Sequence, residues 1–345
     1  MSELNSTTMS SRKFASGIGL FFLIFMATLF IAPLIGPTTI DFGKALSGGI
    51  SATDNVDANI LFLARIPRIL LGAVTGAALS VTGAVFQALL RNDLAAPFTL
   101  GVSSGASFGA VIAISLGLNF TVLGISTLSI AAFAGALGTM YLVFGLVKTR
   151  HGDFPTSILL LAGVTANFFF ASMVMFIHYM SDFTQSFQIV RWLMGGLDIT
   201  DYQTVWSICP FVIVGIGGLI YVSRDMNLIS AGVQSAMSRG VDVVRTQKIG
   251  FILASLITGT VVAISGPIGF VGLIVPHMVR LIVGPDLRLL IPCSMFFGAS
   301  FLILCDTVGR TLIAPAEIPV GVITAMLGGP FFVWLLKRQH KRGNV

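Results

Sequence analysis

Charge is what this chain has least of. Lys, Arg, Asp and Glu make up 10% of its 345 residues, against roughly 25% in an ordinary soluble domain. With 55% hydrophobic residues and a mean hydropathy of +0.95, that shortage excludes a soluble globule. Cysteine is scarce too: Cys209, Cys293 and Cys305 lie in or at the end of apolar runs, with no Cys-x-x-Cys and no Cys/His ligand spacing, so neither a disulfide framework nor a metal centre is expected. No Gly-x-x-x-x-Gly-Lys-Ser/Thr occurs, and the only Gly-Lys pair, Gly43-Lys44, is followed by Ala45, so the chain does not cradle ATP phosphates itself. His-Glu-x-x-His is also missing, and no residue is a candidate for catalysis or for holding a cofactor. All 14 carboxylates fall in loops or at span ends, which leaves the middle of the apolar runs without the ionisable group that an ion-coupled transporter places at membrane depth. Secondary transport is disfavoured, and the energy source is expected in another subunit. The net charge of +6 is not gathered into a basic surface, so nucleic acid is not an expected partner.

Apolar runs are what is plentiful. They fall at about 16–35, 69–90, 98–118, 120–147, 156–179, 204–222, 249–267, 271–283, 289–308 and 318–336. About 20 apolar residues in a helix cross roughly 30 Å of hydrocarbon, and the runs are apolar all round rather than alternating, which excludes a transmembrane β-barrel. The expected fold is an all-α membrane protein of about ten transmembrane helices. The run at 271–283 is thin, set off from its predecessor by Gly266-Pro267 and Gly269 to Gly272. The first run, following Ser11-Arg12-Lys13, is too long for a signal peptide and is read as a retained helix.

Basic residues flank both ends of the chain, Arg12 and Lys13 before the first run and Lys337, Arg338, Lys341 and Arg342 after the last. An even number of spans then puts both termini in the cytoplasm. That orientation places fifteen of the 20 Lys and Arg inside, Lys148 and Arg150 among them, and five outside: Lys44, Arg65, Arg68, Arg191 and Arg310. Trp192, Trp206 and Trp334 fall near run ends, where amphipathic rings sit at the interface with membrane lipid. The expected organisation is a cytoplasmic tail over 1–15, a membrane domain over 16–338 and a second tail over 339–345.

Small residues recur at helical spacing, as in Gly72-Ala73-x-x-Gly76, Gly101-x-x-x-Gly105 and Ser129 to Gly138, and let helix backbones approach closely. A faint echo links Gly76 to Gly83 with Gly259 to Gly266, and Gly105-Ala-Ser107 with Gly298-Ala-Ser300. Two five-helix halves would follow, the second inverted because five is odd.

Two polar regions stand out. From Arg224 to Lys248 the chain is amphipathic: Met226, Leu228, Ile229, Val233, Ala236 and Met237 form an apolar stripe at helical spacing, interrupted by Gly232 and ended by Gly240. Such a stripe, within a coupling segment set at 224–246, lies against a partner groove, the membrane surface or its own bundle. On the outer side, Arg65 and Arg68 precede the second run and Arg310 follows the ninth. They are read either as absorbed by salt bridges, with Asp306 and Arg310 a ready i,i+4 pair, or as docking points for acidic residues of an external protein.

Several stretches together resemble a known family: Arg65-Ile-Pro-Arg68, Gly83-Ala-Val-Phe-Gln-Ala-Leu-Leu-Arg-Asn-Asp-Leu-Ala-Ala-Pro97, Leu100-Gly-Val-Ser-Ser-Gly-Ala106, Gly266-Pro-Ile-Gly-Phe-Val-Gly-Leu-Ile-Val-Pro-His-Met-Val-Arg280 and Glu317-Ile-Pro-Val-Gly321. In this order they resemble the FecCD-type permeases, the membrane subunits of binding-protein-dependent ABC importers for ferric siderophores, haem and cobalamin. One departure is Arg91-Asn-Asp93, where the family often has Arg-Asn-Pro. The resemblance implies an inner-membrane permease that imports a metal chelate, a ferric siderophore before haem or cobalamin, without enzymatic activity of its own. Its implied partners are two ABC ATPase subunits, a periplasmic or lipid-anchored substrate-binding protein, and a second permease chain, identical or a paralogue. It also implies docking of the binding protein on Arg65, Arg68 and Arg310, and coupling to the ATPase through Met226, Leu228, Ile229, Gly232, Met237 and Gly240. Thr156 and Ser157 fall where a related permease narrows its pathway.

Overall fold

The computed structural model describes residues 11–47, 55–122, 124–147, 156–198 and 201–343. Within them, α1 (Ser11–Ile31) is followed by α2 (Phe42–Ser47) and α3 (Val56–Asn59), which continues through a π-helical turn, Ile60–Arg65, into α4 (Ile66–Leu89). Next come α5 (Val102–Ser115), a hairpin of β1 (Thr121–Val122) and β2 (Ile125–Ser126), α6 (Thr127–Val147) and α7 (Thr156–Met180). The second half holds α8 (Phe183–Leu193), α9 (Tyr202–Tyr221), α10 (Ser223–Ala231), α11 (Val233–Ser238), α12 (Val243–Ser265), α13 (Val271–Val283), α14 (Leu287–Thr311) and α15 (Val320–Gly343). Among the described residues, seven helices are long and apolar enough to cross a membrane and three shorter apolar ones accompany them, at Val102–Ser115, Val271–Val283 and Val320–Leu335. The ten-helix membrane protein expected from the apolar runs is the fold observed. The short helices Val102–Ser115 and Val271–Val283 follow the long second helix of each half.

Several boundaries differ from the sequence reading. The second span starts at Val56, not near 69, because Ile60-Leu-Phe-Leu-Ala64 is apolar and Asn55 Oδ1 accepts from Ala58 N at 3.1 Å to cap the helix. Pro67 lacks the N–H that a helix interior requires, and the wide π turn just before it absorbs the irregularity. Arg65 and Arg68 therefore lie within a helix rather than ahead of one. The span expected from 120 begins at Thr127, since Gly124 at φ 79° turns the chain through the hairpin first. Helix α8 has no counterpart among the expected spans. It is announced by Asp182-Phe-Thr-Gln185, a capping box in which Asp182 Oδ1 accepts from Gln185 N at 2.8 Å. The last helix runs to Gly343, through the start of the expected tail at 339–345. Most of the N-terminal tail and the inner basic residues Lys148 and Arg150 lie outside the described residues.

The centre of the bundle is built by α4, α12 and α14. In their most apolar windows 83%, 67% and 61% of residues are buried, against 17% for α1. Glycine and serine set how closely α4 and α14 meet. A Cβ on Gly76 would lie 2.2 Å from the Gly298 carbonyl oxygen, and Ser80 Oγ donates to the Ser294 carbonyl oxygen at 2.7 Å. A Cβ on Gly83 would lie 1.8 Å from the Gly272 oxygen, so α4 also touches the start of α13 backbone to backbone.

Candidate functional site

At one end of the bundle, α4 with the π turn before it and α14 bring the three arginines together, but not as an exposed surface. Arg68 Nε donates to both carboxylate oxygens of Asp306, at 3.0 and 3.1 Å, and its Nη1 reaches Glu317 at 2.7 Å and Asp198 at 3.1 Å. Arg310 Nε donates to Asp306 Oδ2 at 2.9 Å, the i,i+4 pair anticipated from the sequence. Asp306 is 3% exposed and Arg310 3%, so this carboxylate sits between two guanidiniums out of water. Arg65, 4% exposed, turns back onto the chain after α1, donating to the carbonyl oxygens of Pro33 and Thr38. Gly36 makes room for it: a Cβ there would lie 2.4 Å from Arg65 Nη2. Internal acceptors bury Arg65 and Arg310. Only the Arg68 head borders half-exposed carboxylates, Asp198 and Glu317. Beside it a cavity of about 450 Å³ is lined by Phe187, Val190 and Met194 with Arg191, Glu317 and Pro319.

At the other end, α10 and α11 form the two short helices with the bend that Gly232 allows at φ 152°, and Gly240 at φ 82° ends the second. The apolar stripe is divided between two surroundings. Met226, Ile229 and Ala236 are fully buried; Ile229 and Ala236 cluster with Val243, and Leu228 and Val233 pack alongside. Met237 stays 58% exposed, beside the exposed Gln234, Ser235, Ser238 and Arg239. Most of the stripe thus lies on the chain's own bundle, one of the three surroundings that its amphipathic pattern allows. Burying three apolar side chains inward is favourable without a partner.

Asn227 of α10 meets the start of α14. Its Nδ2 donates to Asp286 Oδ1 at 2.7 Å and its Oδ1 accepts from Leu287 N at 2.9 Å. Asp286 caps α14 by accepting from Arg288 N at 3.0 Å, and its ion pair with Arg288 at 2.6 Å holds its carboxyl below the usual carboxylate range. The sequence reading passed over Asn227. Its only signal is an Asp just ahead of a helix that begins after Gly284-Pro285.

Thr156 is the first residue of α7, and Ser157 beside it is exposed. Gly101-Val-Ser-Ser-Gly105 spells the Gly-x-Ser-x-Gly of a catalytic nucleophile turn. A 3-10 turn, Pro97–Leu100, rather than a strand leads into it, and Ser103 is 2% exposed at the start of α5 with its Oγ unpartnered, so it is a packing residue. Among the described residues no group of His, Cys, Asp and Glu could hold a metal ion.

Comparison with known proteins decides what this bundle is. The FecCD transport family matches residues 23–338, almost the whole of the membrane domain. The chain belongs to the FecCD transport family. It is 42% identical to a cobalamin import system permease protein of Halobacterium salinarum, over 88% of this chain and 79% of that one. It is 38% identical to a hemin transport system permease protein of Yersinia pestis, over 85% and 87%. Among solved structures it resembles an inward-facing metal-chelate type ABC transporter with a TM-score of 0.80 at 31% identity, covering 94% of this chain and 99% of the other. The chain is a multi-pass protein of the inner membrane.

The departure at Arg91-Asn-Asp93 has a structural use in this FecCD-family chain. Arg280, the last residue of the Pro-His-Met-Val-Arg stretch, donates to Asp93 and, through Nη2, to Gln87 Oε1 at 2.8 Å. Gln87, 2% exposed, in turn donates to the Gly272 carbonyl oxygen at 3.4 Å. Asp93 therefore fastens the turn after α4 to α13 through an ion pair.

Proposed function

We propose that this chain is the permease subunit of a binding-protein-dependent ABC importer that passes a metal chelate inward on ATP hydrolysed by partner subunits. The observation that carries the reading is the pairing of a ten-helix bundle lacking any phosphate-binding loop with a bent two-helix segment, α10–α11, that presents Met237 and Arg239. Such a chain imports nothing uphill by itself, so the energy enters where a partner can grip it. Two ATPase subunits seat on this segment, and a second permease chain, identical or a paralogue, completes the pathway. Both termini face the cytoplasm, as the bias in basic residues requires.

On the outer face a periplasmic or lipid-anchored binding protein docks over the cluster of Arg65, Arg68 and Arg310. Arg68 is the contact residue in the conformation seen, because Asp198 and Glu317 are half-exposed carboxylates that acidic groups of a partner can displace. Arg65 and Arg310 hold the platform beneath it. Thr156 and Ser157 stand at the inner mouth of α7 as the gate.

The permease supplies no covalent chemistry. It alternates between outward and inward states whose balance ATP shifts. A ferric siderophore is the first cargo to test. Cobalamin and haem form the second reading, favoured by the 42% and 38% identities to permeases named for those cargoes. The deciding experiment is uptake into proteoliposomes holding this chain, its ATPase and its binding protein, with labelled ferric siderophore, haem and cobalamin side by side. Uptake that requires both ATP and the binding protein supports the proposal and names the cargo. Uptake by this chain alone on an ion gradient overturns it.

A further inference from the structure

We infer that Asn227 and Asp286 form the joint through which the coupling segment moves the transmembrane bundle. The inference rests on the reading of α10–α11 as the segment that an ATPase grips. Its starting point is a difference between two kinds of contact. Met226, Ile229 and Ala236 fix α10–α11 to the bundle by apolar burial, which is non-directional and lets one element slide over another. A hydrogen bond has a direction and breaks steeply when its geometry is lost.

Among the described residues, the other side-chain hydrogen bonds of 223–240 stay within the segment or, from Ser223 Oγ, end on Ile220 in the last turn of α9. Asn227 alone reaches across to another membrane helix. It uses both ends of its amide there, donating to Asp286 Oδ1 at 2.7 Å and accepting from Leu287 N at 2.9 Å. One of the two bonds goes to a carboxylate, the stronger class.

What Asn227 grips reaches to the other side of the molecule. Helix α14 is 25 residues long, about 37 Å at 1.5 Å per residue. It cannot slide independently of α4, because the Gly76–Gly298 approach leaves no room for a Cβ and Ser80 is bonded to Ser294. At its far end Asp306 holds Arg68 of α4 and Arg310. A displacement of α10 is thus delivered at Asp286 to the α4–α14 pair, and by that pair to the arginine cluster. Asn227 is a positioning residue: it touches neither nucleotide nor cargo.

The test uses the complete transporter in proteoliposomes, with partner ATPase and binding protein, and whichever of ferric hydroxamate siderophore, haem and cobalamin the wild type imports. The readout is chelate imported per ATP hydrolysed, a ratio that a smaller amount of folded protein does not change. Asn227→Ala is expected to lower that ratio about tenfold, the scale of one lost charge-assisted hydrogen bond. Asn227→Asp sets two carboxylates against each other and lowers it as well. Measured against Asp286→Asn alone, which also changes the oxygen that accepts from both Asn227 Nδ2 and Arg288 N, the exchange of Asn227→Asp with Asp286→Asn rebuilds the bond with donor and acceptor reversed. It is expected to restore the ratio to within about twofold. A wild-type ratio in Asn227→Ala, or an exchange variant as low as the single ones, overturns the joint. A wild type that hydrolyses ATP without importing any chelate, or hydrolyses none, overturns the functional reading itself, an outcome distinct from a working transporter indifferent to Asn227.

Discussion

Replacing Asp306 by alanine tests how the arginine cluster is held together. Its carboxylate, 3% exposed, accepts from Arg68 Nε at 3.0 and 3.1 Å and from Arg310 Nε at 2.9 Å. Without it Arg68 keeps Glu317 at 2.7 Å and Asp198 at 3.1 Å, both at the surface. Arg310 keeps little: it is 3% exposed, and its bond to Thr307 Oγ1 is 3.4 Å long. The cost of the substitution is therefore mainly that of a guanidinium left buried without a counter-charge. Removing one partner of a buried pair costs about 3–5 kcal/mol, and Asp306→Asn, which retains one acceptor oxygen, should cost clearly less. An orphaned buried charge makes the two substitutions non-additive. Adding Arg310→Met to Asp306→Ala removes the orphaned charge while keeping apolar volume, so the double variant should recover roughly 1–3 kcal/mol relative to Asp306→Ala alone. Equilibrium unfolding of the purified permease in mixed detergent micelles measures the wild type and all four variants. A destabilisation under about 1 kcal/mol for Asp306→Ala, or a double variant equal to the sum of the two single ones, refutes the account.

Other expectations concern the interior, the inner junction and the coupling surface. Gly76→Ala, whose Cβ would lie 2.2 Å from the Gly298 oxygen, should destabilise by about 1–3 kcal/mol in the same unfolding assay. Gly138→Ala, with nothing within 4 Å, should be neutral or better. The Asp286 carboxyl is held low by Arg288, so its contribution to stability is fully present above the ordinary carboxylate pKa and lost as the pH falls below about 4. An acid unfolding curve should show that dependence weakened in Asp286→Asn, and an unchanged acid limb would count against it. Met237→Glu, at an exposed site, should abolish co-purification of the ATPase while leaving the permease folded in the membrane; undiminished co-purification would refute the coupling assignment. A charge at Leu228 should instead lower stability, because Leu228 packs beside the buried cluster of Ile229, Ala236 and Val243.

The family was legible because its marks are local: short motifs in order, and apolar runs whose lengths answer to one solvent thickness. The bend at Gly232 and the stop at Gly240 were legible for the same reason, since each is a backbone requirement written at one position. The direction in which the stripe faces was not. Met226 and Met237 are the same residue type on the same amphipathic pattern, yet one is fully buried and the other 58% exposed. The difference lies in what α12 and the C-terminal end of α4 place beside α10: a Cβ on Gly250 would lie 2.7 Å from Leu89 and 3.4 Å from the Met226 sulfur. Helix α8 was legible in principle through its capping box, but its polarity masked it among the apolar runs.

Composition alone made this an α-helical membrane protein, because in hydrocarbon each backbone N–H and C=O must be satisfied within the segment that carries it, so a long apolar run has one stable form. The sequence likewise carries no phosphate-binding loop. The state of each charge was settled only by the packed bundle. Arg68 finds Asp306 238 residues away, and Arg280 finds Asp93 at 187. Whether an arginine is a free contact or a buried strut depends on which distant acceptor the close approach of small residues brings within 3 Å of it, and no local pattern along the chain encodes that distance.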